Sequence, residues 1–396
     1  MTQARVLQLI DGLNYGGAEV LLRDLSVGLL RRGFHVSVGY STPGPLAAEM
    51  ASAGIEIRHL PRLNRVDPVL LVGMLRMIRS LRPHVVHTHL FKSDIHGRLA
   101  AWMAGVPIVI STLHNADDWA QRWPLGWLYG ATATFSDGLI AVSEEVRQYH
   151  ITNTWIPASK VVTIENGVDR NRFVDKRSAG LKLRAEFNIE PDSILFGLIG
   201  RLKPQKDHAT FLRAAAQVLQ KFPSARFLVV GDGPLRPEVE QQASELGLLP
   251  ALIFAGLRTD IPAVMAALDV LVFSSRWEGL PVTLLEGMAS ALPVAATNVD
   301  GIRAVALHES TALLVPPGNP SALADACLRL AADAGLRSRL GQAGLVRVSM
   351  NYSLDGMIDR TVDFYKGFLR ARGLGDSIPV AAEAKKNPSK PWLGAF

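Results

Sequence analysis

Short apolar runs alternate with amphipathic stretches along most of the chain. RVLQLI, from Arg5 to Ile10, reads as a buried strand, and Leu21, Leu22, Leu25 and Leu29 then recur at helical spacing. HVSVGY, IEIRHL, HVVHTH, PIVIST and GLIAVS follow, each separated from the next by a helix-length segment. Unbroken apolar strands suit a sheet covered on both faces. Strand–helix alternation of this kind predicts a parallel sheet with right-handed crossovers. Past Asn166 the rhythm restarts. SILFGLIG is a strand, Asp207 to Lys221 a helix, and RFLVVGDG, ALIFAG, DVLVFSS, LPVAAT and TALLVPP are further strands.

The pattern predicts two doubly wound α/β units, with a central cleft between them if their crevices face each other. Residues 1–170 form the first and 171–351 the second, with the polar stretch Asp169 to Gly180 as the linker. A helix follows over 352–372, with Met357, Val362, Phe364, Tyr365, Phe368 and Leu369 as its apolar positions. Residues 373–396, rich in Gly, Pro and Lys, read as a mobile tail. Doubly wound sheets bind ligands at the carboxyl ends of their strands, so the cleft between two such sheets is the expected site.

Composition narrows the choice. Of the 396 residues, 48% are hydrophobic and 20% charged, which excludes wholesale disorder. A single cysteine, Cys327, excludes an internal disulfide and any zinc cage of cysteines; its apolar neighbours mark it as a buried helix thiol. No run reaches the ~18 apolar residues of a membrane span, and the start lacks signal-peptide features, so a cytoplasmic setting is expected. The net charge of +6 suits an anionic partner: a phosphate-bearing ligand, a membrane surface or nucleic acid. No nucleic-acid motif stands out.

Candidate chemistry sits at the strand ends. Gly16 and Gly17, before Ala18 and Glu19, open the first helix, where bare backbone and free amides favour an approaching anion. Gly200-Arg201-Leu202-Lys203-Pro204-Gln205-Lys206 places three cations in a loop before a helix start, a pattern suited to phosphate; a solvated basic loop is the alternative. Gly231-Asp232-Gly233 forms a sharp turn that can lie against a ring or a phosphate. Glu278 and Glu286 flank Gly279 and Leu280, eight positions apart, and two such carboxylates could each take a pair of sugar hydroxyls; a surface glutamate and a helix-start glutamate are the alternative. His87, His89 and His114 end neighbouring strands, without a carboxylate to complete a metal site. GxGxxG, GxxxxGK[ST] and GxSxG are all missing, which removes the P-loop enzymes and leaves nicotinamide binding and serine-hydrolase chemistry without support.

Taken in order, GGAE, ENGVD, GRLKPQKD, VVGDGP and EGLPVTLLE resemble the retaining GT-B glycosyltransferases of the large family 4-like group, over roughly residues 5–370. The resemblance implies two Rossmann-like domains, the final helix crossing back to the first. It implies a nucleotide-diphosphate-sugar donor, UDP- or GDP-linked, and no metal or other cofactor. Arg201 and Lys206 would hold the diphosphate, Glu286 the ribose, and Glu278 with the backbone of Gly279 and Leu280 the transferred sugar. Gly16 and Gly17 would let a loop close over the diphosphate, Gly200 would carry the cationic loop, Gly231, Asp232 and Gly233 would lie near the nucleotide, and His114 would position the sugar. Asn166 and Asp169 would shape the hinge. A protein nucleophile would not be needed, because the leaving phosphate takes the acceptor's proton. One departure is Asn298-Val299-Asp300-Gly301-Ile302-Arg303-Ala304, where Asp300 replaces a glycine and Ala304 a glutamate of the family pattern.

The implied acceptor is a glycan or lipid-linked molecule of polysaccharide, lipopolysaccharide or glycolipid synthesis, with the protein peripheral at the inner face of the plasma membrane. Trp119, Trp123 and Trp127 recur every four residues near Arg122, and either dock a lipid or membrane interface or pack on the sheet. An epimerase or phosphorylase of the same fold and a non-catalytic nucleotide-sugar binder are the rival readings.

Overall fold

The computed structural model describes residues 3–62 and 67–375; the expected tail beyond 375 lies outside the described residues. The first sheet has seven strands: β1 (Arg5–Gly12), β2 (His35–Thr42), β3 (Glu56–His59), β4 (Val85–His89), β5 (Ile108–Leu113), β6 (Gly138–Ala141) and β7 (Val161–Thr163). They lie in the order β3-β2-β1-β4-β5-β6-β7, every ladder parallel. The second has six: β8 (Leu195–Ile199), β9 (Arg226–Val230), β10 (Leu252–Gly256), β11 (Val270–Phe273), β12 (Val294–Thr297) and β13 (Leu313–Val315). Their order is β10-β9-β8-β11-β12-β13, again parallel. Central strands such as β5 and β8 are buried along their whole length, which is why they appear as unbroken apolar runs.

In both sheets the strand order reverses at one place, between β1 and β4 and between β8 and β11. At such a switch point the connections leave in opposite directions and open a crevice at the carboxyl ends. The two crevices face each other. A Cβ on Gly279, in the loop after β11, would collide with the carbonyl of His114, in the loop after β5.

Helix Leu354–Ala371 lies on the first sheet's layer. It buries Met357, Ile358, Val362, Tyr365 and Leu369 among Leu22, Leu25, Leu29 and Phe34, while Phe364 and Phe368 are half-buried at its edge. Arg32 holds it from helix Gly17–Arg31, with Nε donating to Asp359 at 2.7 Å and Nη2 to Asp355 at 3.1 Å. Where the chain leaves the first lobe it meets its own return. Val168 N–H donates to the Tyr352 carbonyl at 2.9 Å, and Leu354 N–H donates to the Val168 carbonyl at 3.1 Å.

The stretch Asp169 to Gly180 is not an open linker. It forms a turn, Arg170–Phe173, and the start of helix Arg177–Glu186. Phe173 is buried and Gly180 lies against the carbonyl of Ala266, so tertiary packing orders a segment whose sequence is mostly polar. Cys327 is buried in helix Pro320–Ala332, where burial pushes its thiol pKa up to about 12.

Candidate active site

The basic loop after β8 is held by three kinds of contact. Gly231 and Gly233 allow the turn after β9 to abut it: a Cβ on either would collide with the carbonyl of Gly200 or of Leu202. Leu202 N–H donates to the Asp232 carbonyl at 3.0 Å. Ser274 Oγ, at the end of β11, donates to the Lys206 carbonyl at 2.7 Å. Gly200 in turn leaves room for the Lys206 side chain, whose Cε would lie 3.0 Å from a Cβ there. The sequence motif is therefore a packed constellation that aims Lys206 across the crevice.

Lys206 Nζ donates to Glu278 Oε1 at 2.6 Å. The same oxygen accepts from Ser275 Oγ at 2.6 Å, and Glu278 Oε2 accepts from Gln205 Nε2 at 3.2 Å. Glu278 is only 6% exposed, so it is not a surface glutamate but a buried carboxylate with both oxygens engaged. Such a pair is tolerable only because its polar atoms are satisfied. Arg201 is exposed at the same loop. Lys203 is half-buried, and burial lowers its pKa while Asp117, from the first lobe, opposes that shift.

Glu286 sits in the second turn of helix Val282–Ala289 and is 7% exposed. Among the described residues no donor reaches its carboxylate. Burial pushes its pKa up to about 7, opposed by Arg172 and Arg23, whereas Asp24 raises it further. The carboxyl is thus poised near neutrality and will gain from any hydroxyl brought to it.

Across the crevice, Gly16 begins helix Gly17–Arg31, and a Cβ on it would collide with the carboxylate of Glu19, which folds back over the helix start. Burial raises the Glu19 pKa; Arg201 and Lys203 pull it down across the gap. Gly17 has the opposite surroundings. Its Cβ position meets only Val282 Cγ2 at 3.8 Å, so packing does not demand a glycine there.

His114 belongs to a neutral histidine chain. Gln8 Oε1 accepts from His89 Nε2 at 2.8 Å, which leaves His89 Nδ1 to accept from His114 Nε2 at 2.9 Å. His114 Nδ1 is then the unprotonated acceptor. Burial lowers the pKa of His114 to about 4 and that of His87 to about 3, and holds His89 well below its usual value. His114 can position a hydroxyl; as a neutral group it supplies no proton near pH 7. His87 is tied to Tyr365 at 2.5 Å and Thr112 at 2.7 Å and is structural.

The structure thus brings Gly16, Gly17, His114, Gly200, Arg201, Lys206, Gly231, Asp232, Gly233, Glu278, Gly279 and Leu280 to the two facing strand ends, with Glu286 one helix behind. Asn166 joins them by donating from Nδ2 to the Leu280 carbonyl at 2.8 Å. Asp169 instead accepts from Asn171 N–H at 3.0 Å. Sequence reasoning missed Asp117 and Gln205 as members of the site and gave Glu19 and Lys203, which lie in the recognised motifs, no role of their own; Glu19, Asp117 and Lys203 meet only through the facing of the lobes. No three His, Cys, Asp or Glu side chains converge as a metal cage among the described residues.

The tryptophan stripe divides. Trp119 packs on Phe91 and Tyr129, with ring centroids 4.5 and 4.6 Å away. Trp123 and Trp127 are 85% and 54% exposed. The turn Asp118–Gln121 ends before helix Leu125–Ala133 begins, so the three do not share one helix face.

Two family models match the chain: "Glycosyltransferase Family 4" over residues 15–172 and "Glycosyl transferases group 1" over residues 193–333. A UDP-Gal:alpha-D-GlcNAc-diphosphoundecaprenol alpha-1,3-galactosyltransferase of Escherichia coli is 30% identical over 271 residues, covering 66% of this chain and 70% of its own. The chain belongs to glycosyltransferase family 4. A D-inositol 3-phosphate glycosyltransferase of Saccharomonospora viridis is 28% identical to the enzyme and covers 92% of each chain. The Anabaena protein Alr3699/HepE, solved with UDP-glucose, superposes with a TM-score of 0.84 over 92% of the enzyme and 99% of its own chain at 22% identity. That likeness shows the GT-B fold. No described helix is long and apolar enough to cross a membrane.

Proposed function

We propose that the enzyme is a retaining hexosyltransferase that takes a sugar from a nucleotide diphosphate, UDP before GDP, and passes it to a glycan or lipid-linked acceptor of envelope polysaccharide synthesis. The observation that carries this reading is the pair of half-buried Lys206 and buried Glu278 at the second switch point, with Arg201 and Lys203 beside it. Fixed cations and helix-start amides are what a departing diphosphate requires, and they supply this charge without a metal. Arg201 and Lys206 hold the diphosphate, Glu286 accepts from the ribose hydroxyls, and Glu278 with Gly279 and Leu280 holds the sugar. The donor occupies the lobe of residues 171–351 and the acceptor that of 1–170; the 352–372 helix returns to the first. The similarly folded Anabaena protein is solved with UDP and with UDP-glucose, and the Escherichia coli relative is a galactosyltransferase acting from UDP-Gal on alpha-D-GlcNAc-diphosphoundecaprenol, which supports a UDP-sugar donor and a lipid-linked acceptor here.

In the reaction the acceptor oxygen bonds to the anomeric carbon on the face from which the diphosphate leaves. The carbon–oxygen bond to the diphosphate breaks, and a phosphate oxygen takes the acceptor's proton. Glu278 suits a holding role better than a nucleophilic one, since both its oxygens are engaged. Exposed Trp123, Trp127, Leu125 and Leu128 form an interfacial patch through which the enzyme meets the membrane that carries its acceptor.

The test is a thermal-shift screen against UDP-, GDP- and TDP-sugars, with and without EDTA, followed by assignment of the product's anomeric configuration. A donor at 100 times its Kd should stabilise the fold by about 2.7 kcal/mol. Inverted product, or stabilisation that vanishes with EDTA, would refute the reading.

A further inference from the structure

The strand Arg5–Gly12 is an apolar run with one fully buried polar member, Gln8. An amide in that position costs stability unless it is hydrogen-bonded, and neither donor nor acceptor contacts give it a task. In the sheet register it stands beside His87 of the strand Val85–His89. Over both lies helix Leu354–Ala371, which brings Tyr365 to His87.

The two ends of the amide meet two histidine systems. Gln8 Oε1 accepts from His89 Nε2 at 2.8 Å, and His89 Nδ1 lies 2.9 Å from His114 Nε2. Gln8 Nε2 is buried with no completed hydrogen bond, and the oxygen beside it is the Tyr365 hydroxyl. That hydroxyl meets His87 Nδ1 at 2.5 Å, and His87 Nε2 meets Thr112 Oγ1 at 2.7 Å. Burial keeps His87, His89 and His114 neutral near pH 7, so each ring carries one N–H and accepts with its other nitrogen.

The direction of every bond in this chain then follows from which end of Gln8 faces His89. With the carbonyl there, His89 and His114 are both protonated on Nε2. His114 Nδ1 is left as a bare acceptor at the strand end that Gly279 touches. With the amide turned, each bond would reverse and His114 Nδ1 would carry the proton.

We propose that Gln8 is a positioning residue for sugar transfer: through His89 it sets the tautomer of His114, so that the transferred sugar must offer a hydroxyl hydrogen to His114 Nδ1. The inference rests on the transferase reading above and adds to it a requirement on the sugar. Gln8 touches no substrate and acts through polarity alone. Leucine would fill much the same space and lose the polarity.

The full-length enzyme is labelled with heavy nitrogen at histidine and its ring nitrogens are read by NMR, His114 being assigned by the signals lost in His114→Asn. Wild-type His114 should be protonated on Nε2. Gln8→Leu should mix the two tautomers and slow sugar transfer about tenfold, the loss of one hydrogen bond, while UDP binds as before. Gln8→Glu, which when ionised can only accept from His89, should restore the tautomer and recover part of the rate. Tyr365→Phe removes the oxygen that Gln8 Nε2 faces; it should also mix the tautomers, and it keeps the test decisive should Gln8→Leu fold poorly. A wild-type His114 protonated on Nδ1, or an unmixed tautomer or unchanged rate in the folded variants, overturns the proposal. The expected tautomers in a wild type that transfers no sugar would instead sink the transferase reading and spare the relay.

Discussion

Glu278 and Glu286 stand eight residues apart in one motif and are buried to almost the same extent, yet their surroundings are opposite. Glu278 has a lysine, a serine and an amide on its two oxygens. Glu286 has no donor among the described residues, and burial lifts its pKa to about 7. Burial alone therefore says little about a carboxylate. What decides its charge is whether the fold supplies partners or leaves them to a ligand.

Removing the partner should have the largest effect. Lys206→Ala strands a charged carboxylate inside the fold, which should cost about 3–5 kcal/mol of stability, seen by denaturant unfolding. The double variant Lys206→Ala/Glu278→Gln should recover part of that loss. A double variant no more stable than the single would mean that the pair is not what the lysine maintains. Sugar transfer should fall on order of 10²-fold in both.

Glu286→Gln should leave the fold intact but weaken donor binding by about 1.5–3 kcal/mol, the worth of a hydrogen bond to a charged group. It also sharpens the contrast through pH. The folded pKa of Glu286, about 7, lies above the ordinary glutamate value, so between these values the folded state holds a proton that the unfolded chain has lost. Its contribution to stability is present at acid pH and disappears as pH rises through about 7. Nucleotide binding should run the other way, tightening from pH 6 to 8 as the ionised form becomes available. Isothermal titration at both pH values checks this; an equally steep dependence in Glu286→Gln would assign it to another group.

The smallest effect on the fold belongs to the exposed tryptophans. Replacing Trp123 and Trp127 by Ser should change stability by no more than about 0.5 kcal/mol. Flotation with anionic liposomes should nevertheless drop. Unchanged flotation removes the membrane patch, while Trp119→Ser, cut from a ring cluster, should destabilise without altering lipid binding.

Much of the fold was legible because a parallel sheet buried on both faces writes its strands as unbroken apolar runs, as in β5 and β8. The glycines of the site were legible because backbone approach leaves no substitute for them at Gly231 and Gly233. The partners of those residues were not. Nothing in Gln205 announces that it will hold Glu278, and Glu19, Asp117 and Lys203 become neighbours only when two lobes from distant sequence face each other. The stretch around Phe173 and Gly180 looked like a linker for the same reason: its order comes from the helix Ile261–Ala267 that it rests on. The tryptophan spacing left packing and an interface both open, because Pro124 and Gly126 interrupt any simple helix there, and only the fold divides the three, Trp119 packed and Trp123 and Trp127 exposed.

The paired backbone bonds of Val168 with Tyr352 and Leu354 have a mechanical meaning. The outgoing and returning chains are stitched together at one point, so neither can slide past the other. Any parting of the lobes becomes a rotation about that stitch. Helix Leu354–Ala371, riveted to Arg32, is the rigid arm on one side of the pivot, and the loop that carries Glu278 travels on the other.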